Sequence, residues 1–324
     1  MSRLRLGLLA LLLFVAGIAL GVRWSGSLPK DGAQAMTEAK SASPRDLRPS
    51  AQDKALVELM AVGRQTNGSA VYNLVIFNFY SSIWKQYGKG VQRPVILELG
   101  PGSNLALGTL LVAAGATKYT GLDLFKAPDL ENPDSYAAAF NLLNLVSPGI
   151  VRVKSEEIFS VSDGKVVFKP NRMEYLFPRQ SYDIRLPDGS VDFVFSHSVF
   201  EHISDPDRTI AAIHKVLRKG GISAHNFDMR DHTDFSKPLE FLKVDEPAWK
   251  ARFTGEKAYS YTNRRRLSDM VKAIEAAGFK MLKVAPAERI PMSEEIRAGL
   301  HPDFQKYSLE DLAVVGALIV AEKP

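Results

Sequence analysis

The sequence predicts an α/β protein built on a Rossmann-like, doubly wound and mostly parallel sheet. From residue 94 onward, short apolar runs alternate with helical stretches, beginning with VILELG, then LALGTLLVAAG, then YTGLDLF. Strands that alternate with helices favour a parallel sheet with helices on both faces. A glycine-rich turn, GPGSN, follows the first run and lets the backbone bend sharply into the next helix.

Apolar spacing assigns the remaining elements in order. Two helices, at 51–65 and 71–87, lead into the sheet, and the aromatic residues of the second are expected to pack against it. The last two strands are expected to pair as a hairpin with a long connection. Residues 156–182 and 230–261 do not fit the alternation and are predicted as long connections, which are usually functional or flexible. Further strands are predicted at 150–153, 191–196, 222–227, 280–286 and 314–321, and further helices at 206–218 and 263–277.

The N-terminus carries an uncharged apolar run from Leu6 to Val22, with Arg3 and Arg5 before it and Arg23 after it. As a helix it would reach roughly 25 Å, which is near the thickness of a bilayer's hydrocarbon core. We predict a single-pass transmembrane anchor over 1–23, with a cleaved signal peptide as the alternative. Residues 24–50 read as a flexible linker, 51–93 as N-terminal helices and 94–324 as one large domain.

Charge and composition exclude several classes of function. Residues 1–65 hold nine Lys/Arg and five Asp/Glu, a balance of +4, which leaves only +1 of the formal +5 for the other 259 residues. A nucleic-acid enzyme usually carries a basic stripe, so no nucleic-acid partner is predicted. The chain has no cysteine, which rules out disulfides, thiolate metal sites and cysteine nucleophiles.

The first two predicted strands end in residues suited to binding a nucleoside-containing ligand. Glu98 ends the first strand, and Gly100, Pro101 and Gly102 form the turn that aims a helix N-terminus at the same place. Asp123 ends the second strand, where a carboxylate can accept hydrogen bonds from both ribose hydroxyls. A glycine turn of this kind also occurs in dinucleotide enzymes, so the pair of motifs has to be taken together.

The series ELGPGSN, LDLF and DIRLPDGSVDFVFSHSVFEHISDPDRTIAAIHKVLRKGG resembles the class I S-adenosylmethionine-dependent methyltransferases. It is most similar to the subgroup with an LP…SFDxVxS…LEH strand and helix, and the similarity covers residues 94–228. The resemblance implies an enzyme with S-adenosylmethionine as cofactor. It also implies that the residues of the turn, Glu98, Asp123 and Asp183 contact the cofactor, with Ser196 and His197 close to the methyl group. The Glu201-His202 pair is interpreted as a structural hydrogen bond at a helix start.

A methyl acceptor that is a hydroxyl has to lose its proton, and a nearby His or Asp can take it. The candidates are His197, after the fourth strand, and His225, Asp228 and His232, in and after the fifth. His225, Asp228, Asp231 and His232 could also hold a hard divalent ion, but carboxylates this close in sequence more often face solvent or Arg230, so no metal site is predicted.

Segments near the C-terminus, among them HNFDMRDH and HPDFQKYSLEDLAV, resemble a narrower set of bacterial methyltransferases associated with cell-surface glycans. This resemblance implies a small-molecule or glycan acceptor that is methylated on oxygen. The run Arg264-Arg265-Arg266 is either a site for an anionic acceptor or a solvated, lipid-facing surface. Because the cofactor is made in the cytosol, the large domain of the membrane-bound chain is expected to be cytoplasmic.

Two other readings of the same residues stay open. An NAD-type oxidoreductase shares the glycine turn and the ribose acid, although Leu105 stands where its third glycine would be. A membrane-tethered module that kept the fold and cofactor site but lost activity would carry the same motifs.

Overall fold

The computed structural model describes residues 69–324. The predicted anchor, the linker and the first helix fall within residues 1–68, outside the described part of the chain. Within residues 69–324, no helix is both long and apolar enough to cross a membrane.

A single seven-stranded sheet organises the fold, with strand order β5-β2-β1-β6-β7-β9-β8. The first five strands in this order run parallel, and β9 runs antiparallel to both β7 and β8, so the predicted mostly parallel sheet is confirmed. A separate two-stranded hairpin is made by β3 (Phe159–Ser162) and β4 (Lys165–Phe168). The strands of the large sheet are β1 (Val95–Leu99), β2 (Lys118–Leu122), β5 (Met173–Leu176), β6 (Val191–His197), β7 (Leu217–Asp228), β8 (Lys280–Arg289) and β9 (Val314–Glu322).

The strand order reverses between β1 and β6. The chain leaves β1 toward β2 and β5 on one side, then returns to β6, which pairs with β1 on the other side. In open α/β sheets the connections diverge at such a switch point and leave a crevice at the carboxyl ends of the strands. The predicted site residues follow β1, β2, β6 and β7 at this edge.

Helices cover both faces of the sheet. The first of them, α1 (Ala70–Tyr87), buries Phe77, Phe79 and Tyr80, and the Tyr80 ring stacks on Phe195 of β6 with centroids 4.2 Å apart. The expected packing of this aromatic helix against the domain is therefore confirmed. The other helices are α2 (Ala106–Ala113), α3 (Pro133–Val146), α4 (Pro206–Val216), α5 (Glu246–Lys250), α6 (Leu267–Ala276), α7 (Glu294–Ala298), α8 (Pro302–Gln305) and α9 (Leu309–Ala313).

The third parallel strand is not where the sequence predicted it. The strand expected at 150–153 is wrong, because Pro148–Ile150 forms a 3-10 turn. The third strand is instead β5, which lies inside the stretch interpreted as a long connection and pairs with β2. The expected C-terminal hairpin of β8 and β9 is confirmed, and α6 begins at Leu267, four residues later than predicted.

The long connections after β7 and β8 fold together rather than lying open. Trp249 of α5 is fully buried beside Phe241, and residues from the β8–β9 connection complete the same cluster. This cluster is separate from the two cores that line the faces of the sheet. The members of the cluster are Leu239, Phe241, Leu242, Trp249, Leu300, Phe304, Leu312 and Val315.

Candidate active site

The glycine turn after β1 adopts a conformation that requires glycine. Gly100 has φ +67°, and a Cβ there would lie 2.4 Å from a methyl carbon of Val199. Gly102 has φ +72°, but nothing lies within 4 Å of the position its Cβ would take. The backbone at Gly102 is thus open to close approach by a ligand, whereas Gly100 is packed against the segment after β6.

Two carboxylates flank this turn. The buried Glu98 accepts a 2.5 Å hydrogen bond from the Tyr119 hydroxyl. Asp123 accepts from the Gly102 amide at 3.2 Å through one oxygen, and from the amides of Phe125 and Lys126 through the other. The structure therefore brings together the predicted Glu98, Gly100, Gly102 and Asp123 at the carboxyl ends of β1 and β2.

Burial raises the pKa of Glu98 to about 8, against the opposing effect of the Tyr119 hydrogen bond, and the nearby Asp123 adds to the rise. A carboxyl group in this position is mainly neutral at pH 7 when no cation is beside it. Pro101, between the two glycines, lies over β2, since its Cγ is 3.0 Å from where a Cβ on Gly121 would be.

Asp183 lies at the same edge but is otherwise engaged. Its carboxylate pairs with Arg179 at 3.0 Å and with Arg185 at 3.3 Å, and these two arginines lower its pKa. The segment is tied to the site by a backbone hydrogen bond from Arg179 to Asp123. Asp183 comes seven residues after β5 ends, so it is not the residue that terminates the third strand.

His225 is a buried core residue. Its two ring nitrogens meet the Ser196 hydroxyl at 2.8 Å and the Ser223 hydroxyl at 2.7 Å, and only 2% of the residue is exposed. Burial lowers the pKa of His225 to about 3, so the ring is neutral. His225 was expected to take the proton of the methyl acceptor. This prediction is wrong, because both ring nitrogens are engaged in the core and neither can reach a substrate. Ser196 is likewise fully buried, which also argues against direct contact of its hydroxyl with a cofactor.

His197 ends β6 and is framed by α1. The Tyr80 hydroxyl donates to the carbonyl of Ser196 at 2.6 Å and lies 3.3 Å from the Nδ1 atom of His197. The rings of Tyr72 and Phe79 meet the His197 ring edge to face. Sequence reasoning saw only packing in α1 and missed that Tyr80 positions a candidate residue.

The segment after β7 holds the other predicted residues. Asp228 is bound by the Arg230 guanidinium through both oxygens, at 2.8 and 2.5 Å. Burial alone would raise the pKa of Asp228, but Arg230 and the nearby His232 lower it far below its usual range. A carboxylate this strongly paired is a poor base. Asp231 accepts from the amide and the hydroxyl of Thr233 through one carboxylate oxygen.

Glu201 and His202 were interpreted as a structural pair at a helix start, but the structure gives them different surroundings. They lie in a 3-10 turn, Phe200–His202, after β6. One Glu201 oxygen accepts from the Asp228 amide at 3.3 Å, and the other has no hydrogen-bond partner. Burial raises the pKa of Glu201 well above its ordinary value, and burial together with the neighbouring His232 lowers that of His202 to about 4.

The arginine run before α6 is internal. Arg264 and Arg266 are buried, and their guanidinium groups donate to backbone carbonyls of other segments. Arg265 pairs with Asp207 of α4. Neither the anionic-acceptor reading nor the lipid-facing reading fits this placement, because two of the three side chains are unavailable to any ligand.

Comparison with known proteins adds a family match. Residues 169–224 match the sequence model of a methyltransferase domain. No curated protein matches the chain in sequence.

Among solved structures, an S-adenosylmethionine-dependent methyltransferase from Mesorhizobium loti is similar at 16% identity, over 72% of this chain and 92% of that one, with a TM-score of 0.39. Phosphoethanolamine N-methyltransferase 2 from Haemonchus contortus, solved with phosphomonomethylethanolamine and S-adenosylhomocysteine, is similar at 16% identity, over 76% of this chain and 53% of that one, with a TM-score of 0.40.

A doubly wound sheet with a glycine turn and acids at the ends of its first two strands is typical of α/β proteins that bind a nucleotide-containing ligand. The methyltransferase-domain match covers β5 through most of β7, the part of the sheet that follows the cofactor-side motifs. Residues 169–224 are therefore similar to a methyltransferase domain, which agrees with the class I S-adenosylmethionine-dependent methyltransferases that the sequence motifs resemble. The oxidoreductase alternative leaves this match unexplained.

Proposed function

We propose that this protein is a class I S-adenosylmethionine-dependent methyltransferase that is held at a membrane by residues 6–22 and transfers a methyl group to an oxygen of a sugar-related or other small-molecule acceptor. One observation carries the catalytic part of the proposal. The acids and the open turn that suit the cofactor lie at the carboxyl ends of β1 and β2, and His197 ends β6, the strand that pairs with β1 on its other side.

The described residues fit S-adenosylmethionine. The open space at Gly102 lets a ligand lie against the backbone, and Asp123 at the end of β2 suits the ribose hydroxyls. Glu98 is a buried carboxylate without a cationic partner among the described contacts, which suits the positively charged amino-acid end of the cofactor. When bound, the cofactor supplies an electrophilic methyl group on a sulfonium. Asp183 is proposed to lie at the adenine end of the cofactor. Its contribution to binding is expected to be smaller, because its carboxylate is already paired with two arginines.

His197 is the proposed proton acceptor for the hydroxyl of the acceptor. Tyr80 holds the Nδ1 side of the ring, and the aromatic rings of α1 restrict its orientation. Such positioning matters because methyl transfer is an in-line displacement that depends on the alignment of the acceptor oxygen. Of the other three candidates, His225 is enclosed in the core, Asp228 is paired with Arg230, and His232 is half-buried.

The catalytic test measures cofactor binding separately from turnover. Labelled S-adenosylmethionine is incubated with the full-length protein and with membrane fractions that contain lipid-linked and soluble glycans. We expect His197→Gln to lower turnover by at least about 100-fold with S-adenosylhomocysteine affinity within a few-fold of wild type. We expect His225→Gln to lower the free energy of unfolding instead, because the buried hydroxyls of Ser196 and Ser223 lose their hydrogen bonds to the imidazole ring.

Two results would contradict this reading. Wild-type turnover in His197→Gln would remove His197 from the reaction. Cofactor binding without methyl transfer to any fraction would favour the alternative of an inactive tethered module.

The membrane part of the proposal rests on the uncharged run at 6–22 followed by the Ser-, Ala- and Pro-rich segment 24–50. The methyltransferase domain, 94–324 with the helices before it, would then lie in the cytoplasm, where the cofactor is made. A reporter fused after Pro324 should show cytoplasmic activity, and the protein should stay with membranes after a high-salt wash. A periplasmic signal, or release of a chain that lacks its first residues, would overturn this arrangement in favour of a signal peptide.

A further inference from the structure

Three side chains with metal-binding atoms meet at the carboxyl edge of the sheet. Glu201 and His202 follow β6, and His232 follows β7. One potential ligand atom from each residue lies within 4.8 Å of the other two. Three atoms this close can approach a common centre after small side-chain rotations.

Glu201 has the feature that distinguishes a site from a chance cluster. The residue is only 6% exposed, yet its Oε2 atom has no hydrogen-bond partner, while the other oxygen accepts from the Asp228 amide. Leaving a buried carboxylate oxygen unpaired costs stability unless a cation or donor fills the gap.

His202 is oriented as a metal ligand would be. Its Nδ1 atom lies 2.8 Å from the carbonyl oxygen of Tyr261, which can only accept, so Nδ1 carries the proton and Nε2 keeps the lone pair. Metal-binding histidines almost always donate their second nitrogen to such a partner. Asn263 holds the same turn in place by donating to the carbonyls of Phe200 and Ile203.

His232 supplies the third donor. Its Nε2 atom is buried and has no hydrogen-bond partner, since Asp228 lies 3.8 Å away, too far for a hydrogen bond. The ring packs edge to face on His202, with centroids 4.8 Å apart, and lies beside Phe235. Two of the three residues therefore present unpaired buried atoms to the same small volume.

We propose that Glu201, His202 and His232 bind a divalent first-row transition metal ion, with Zn²⁺ as the best match. Two imidazoles and one carboxylate are a donor set that Zn²⁺ and non-haem Fe²⁺ sites use, whereas Mg²⁺ and Ca²⁺ prefer oxygen ligands alone. Three protein ligands leave a further coordination position open, as in metal sites that bind a substrate or water.

The charges around the site allow a cation. Arg230 is the nearby positive group, and its charge is offset by Asp228, which it binds through two hydrogen bonds, and by Glu288 at 3.5 Å. Asp228 lies 3.8 Å from His232 Nε2, but its carboxylate is bound by Arg230. We therefore do not count Asp228 among the metal ligands.

A metal ion here would deepen the proposed function. The site shares the β6–β7 end of the crevice with His197, so the open coordination position could hold an acceptor oxygen and ease the loss of its proton. This last step rests on the proposed methyl transfer to oxygen. Metal binding itself does not, and it is measured without cofactor or acceptor.

The test uses the full-length protein purified without a polyhistidine tag, because such a tag binds the same ions. After treatment with a chelator and dialysis, Zn²⁺ alone is titrated by calorimetry, and Co²⁺ is added as a spectroscopic probe of imidazole ligation. We expect one tight site per chain and a Zn²⁺-dependent rise in the unfolding temperature. His232→Gln should weaken Zn²⁺ binding by more than about 100-fold, because replacing even an outer partner of a metal ligand costs 10- to 100-fold.

His214→Gln is the matched control, since His214 of α4 packs on Phe279 and takes no part in the cluster. It should bind Zn²⁺ as the wild type does. Circular dichroism and the metal-free unfolding temperature establish that His232→Gln, in a loop, is folded. Equal Zn²⁺ affinity in His232→Gln and wild type, or no saturable site in the wild type, would overturn the proposal while leaving the methyltransferase assignment intact.

Discussion

Two buried acids at the carboxyl edge of the sheet, Glu98 and Glu201, lie where positively charged ligands are proposed. For both, burial is the largest effect on the carboxyl group, and it raises the pKa. The cost of keeping an acid in such a place is recovered only if a cation binds beside it. We therefore propose the same role for both acids, which is to bind a positively charged ligand.

Glu98→Gln should change how stability depends on pH. The pKa of Glu98 rises from 4.5 to about 8 on folding, so its contribution to the free energy of unfolding is fully present below pH 4.5 and is lost as pH rises through about 8. The amide of the variant stays neutral and can still accept from Tyr119. Urea unfolding of both proteins is measured at a series of pH values. The free energy of unfolding of the variant should rise relative to that of the wild type between pH 4.5 and about 8. Parallel profiles would mean that Glu98 ionises freely in the fold.

The sequence predicted that Glu98, the glycine turn and Asp123 lie together, because a strand end and a glycine turn fix side-chain positions over a few residues. The same reasoning failed for His225. Its two partners, Ser196 and Ser223, enclose it on the interior of the sheet, and one of them comes from a strand 29 residues away. The pairing of Glu201 and His202 with His232 was missed for a similar reason, since it depends on how the segments after β6 and β7 meet.

At the scale of elements, the segment before α6 joins distant parts of the fold. Arg266 donates to the carbonyls of Met229, after β7, of Leu312 in α9, and of Val314 at the start of β9. Arg264 donates to the carbonyl of Phe241, in the cluster around Trp249, and to that of Val244, which packs against this cluster; it also pairs with Glu246. These bonds satisfy backbone carbonyls that irregular connections would otherwise leave buried and unpaired.

Arg266→Ala should destabilise the protein by about 3–5 kcal/mol, because it leaves several buried carbonyls without donors and opens a cavity. Arg265→Ala is the control in the same segment. Its side chain is about one-third exposed and pairs with Asp207, so the loss should be no more than about 1 kcal/mol. Chemical denaturation of the two variants measures both. Similar losses would contradict the structural role assigned to Arg266.

The third strand shows the limit of sequence patterns at this scale. β5 has only four residues, and only Met173 is fully buried, so it lacks the apolar run that marks β1 and β6. Its place in the sheet comes from pairing with β2 rather than from local propensity. The long connections failed as predictions of open loops because Trp249 and its neighbours form a core that only the folded chain assembles.

At the scale of the whole molecule, both proposed sites lie at one edge of the sheet. The motifs proposed to bind the cofactor lie at the ends of β1 and β2, and the residues proposed for the acceptor lie at and after the ends of β6 and β7, on the other side of the switch point. The segment before α6 supports the turn that carries Glu201 and His202, because Asn263 donates to this turn and the Tyr261 carbonyl contacts His202.

Cofactor binding should therefore stabilise the molecule as a unit and discriminate between nucleotides. At a concentration of 100 times its Kd, S-adenosylhomocysteine should add about 2.7 kcal/mol. For a domain of this size that corresponds to a rise in unfolding temperature of roughly 5–10 °C. Thermal unfolding of the full-length protein with S-adenosylhomocysteine, and separately with NAD, measures the effect.

Asp123→Asn provides the matched control for this shift. Its amide oxygen can still accept from the backbone at Phe125 and Lys126, so the variant should fold, but it loses the second acceptor oxygen that the ribose hydroxyls need. We expect the shift with S-adenosylhomocysteine to disappear in this variant and NAD to produce none in either protein. A shift with NAD alone would contradict the cofactor assignment, and an unchanged shift in Asp123→Asn would move the ribose contact to another residue.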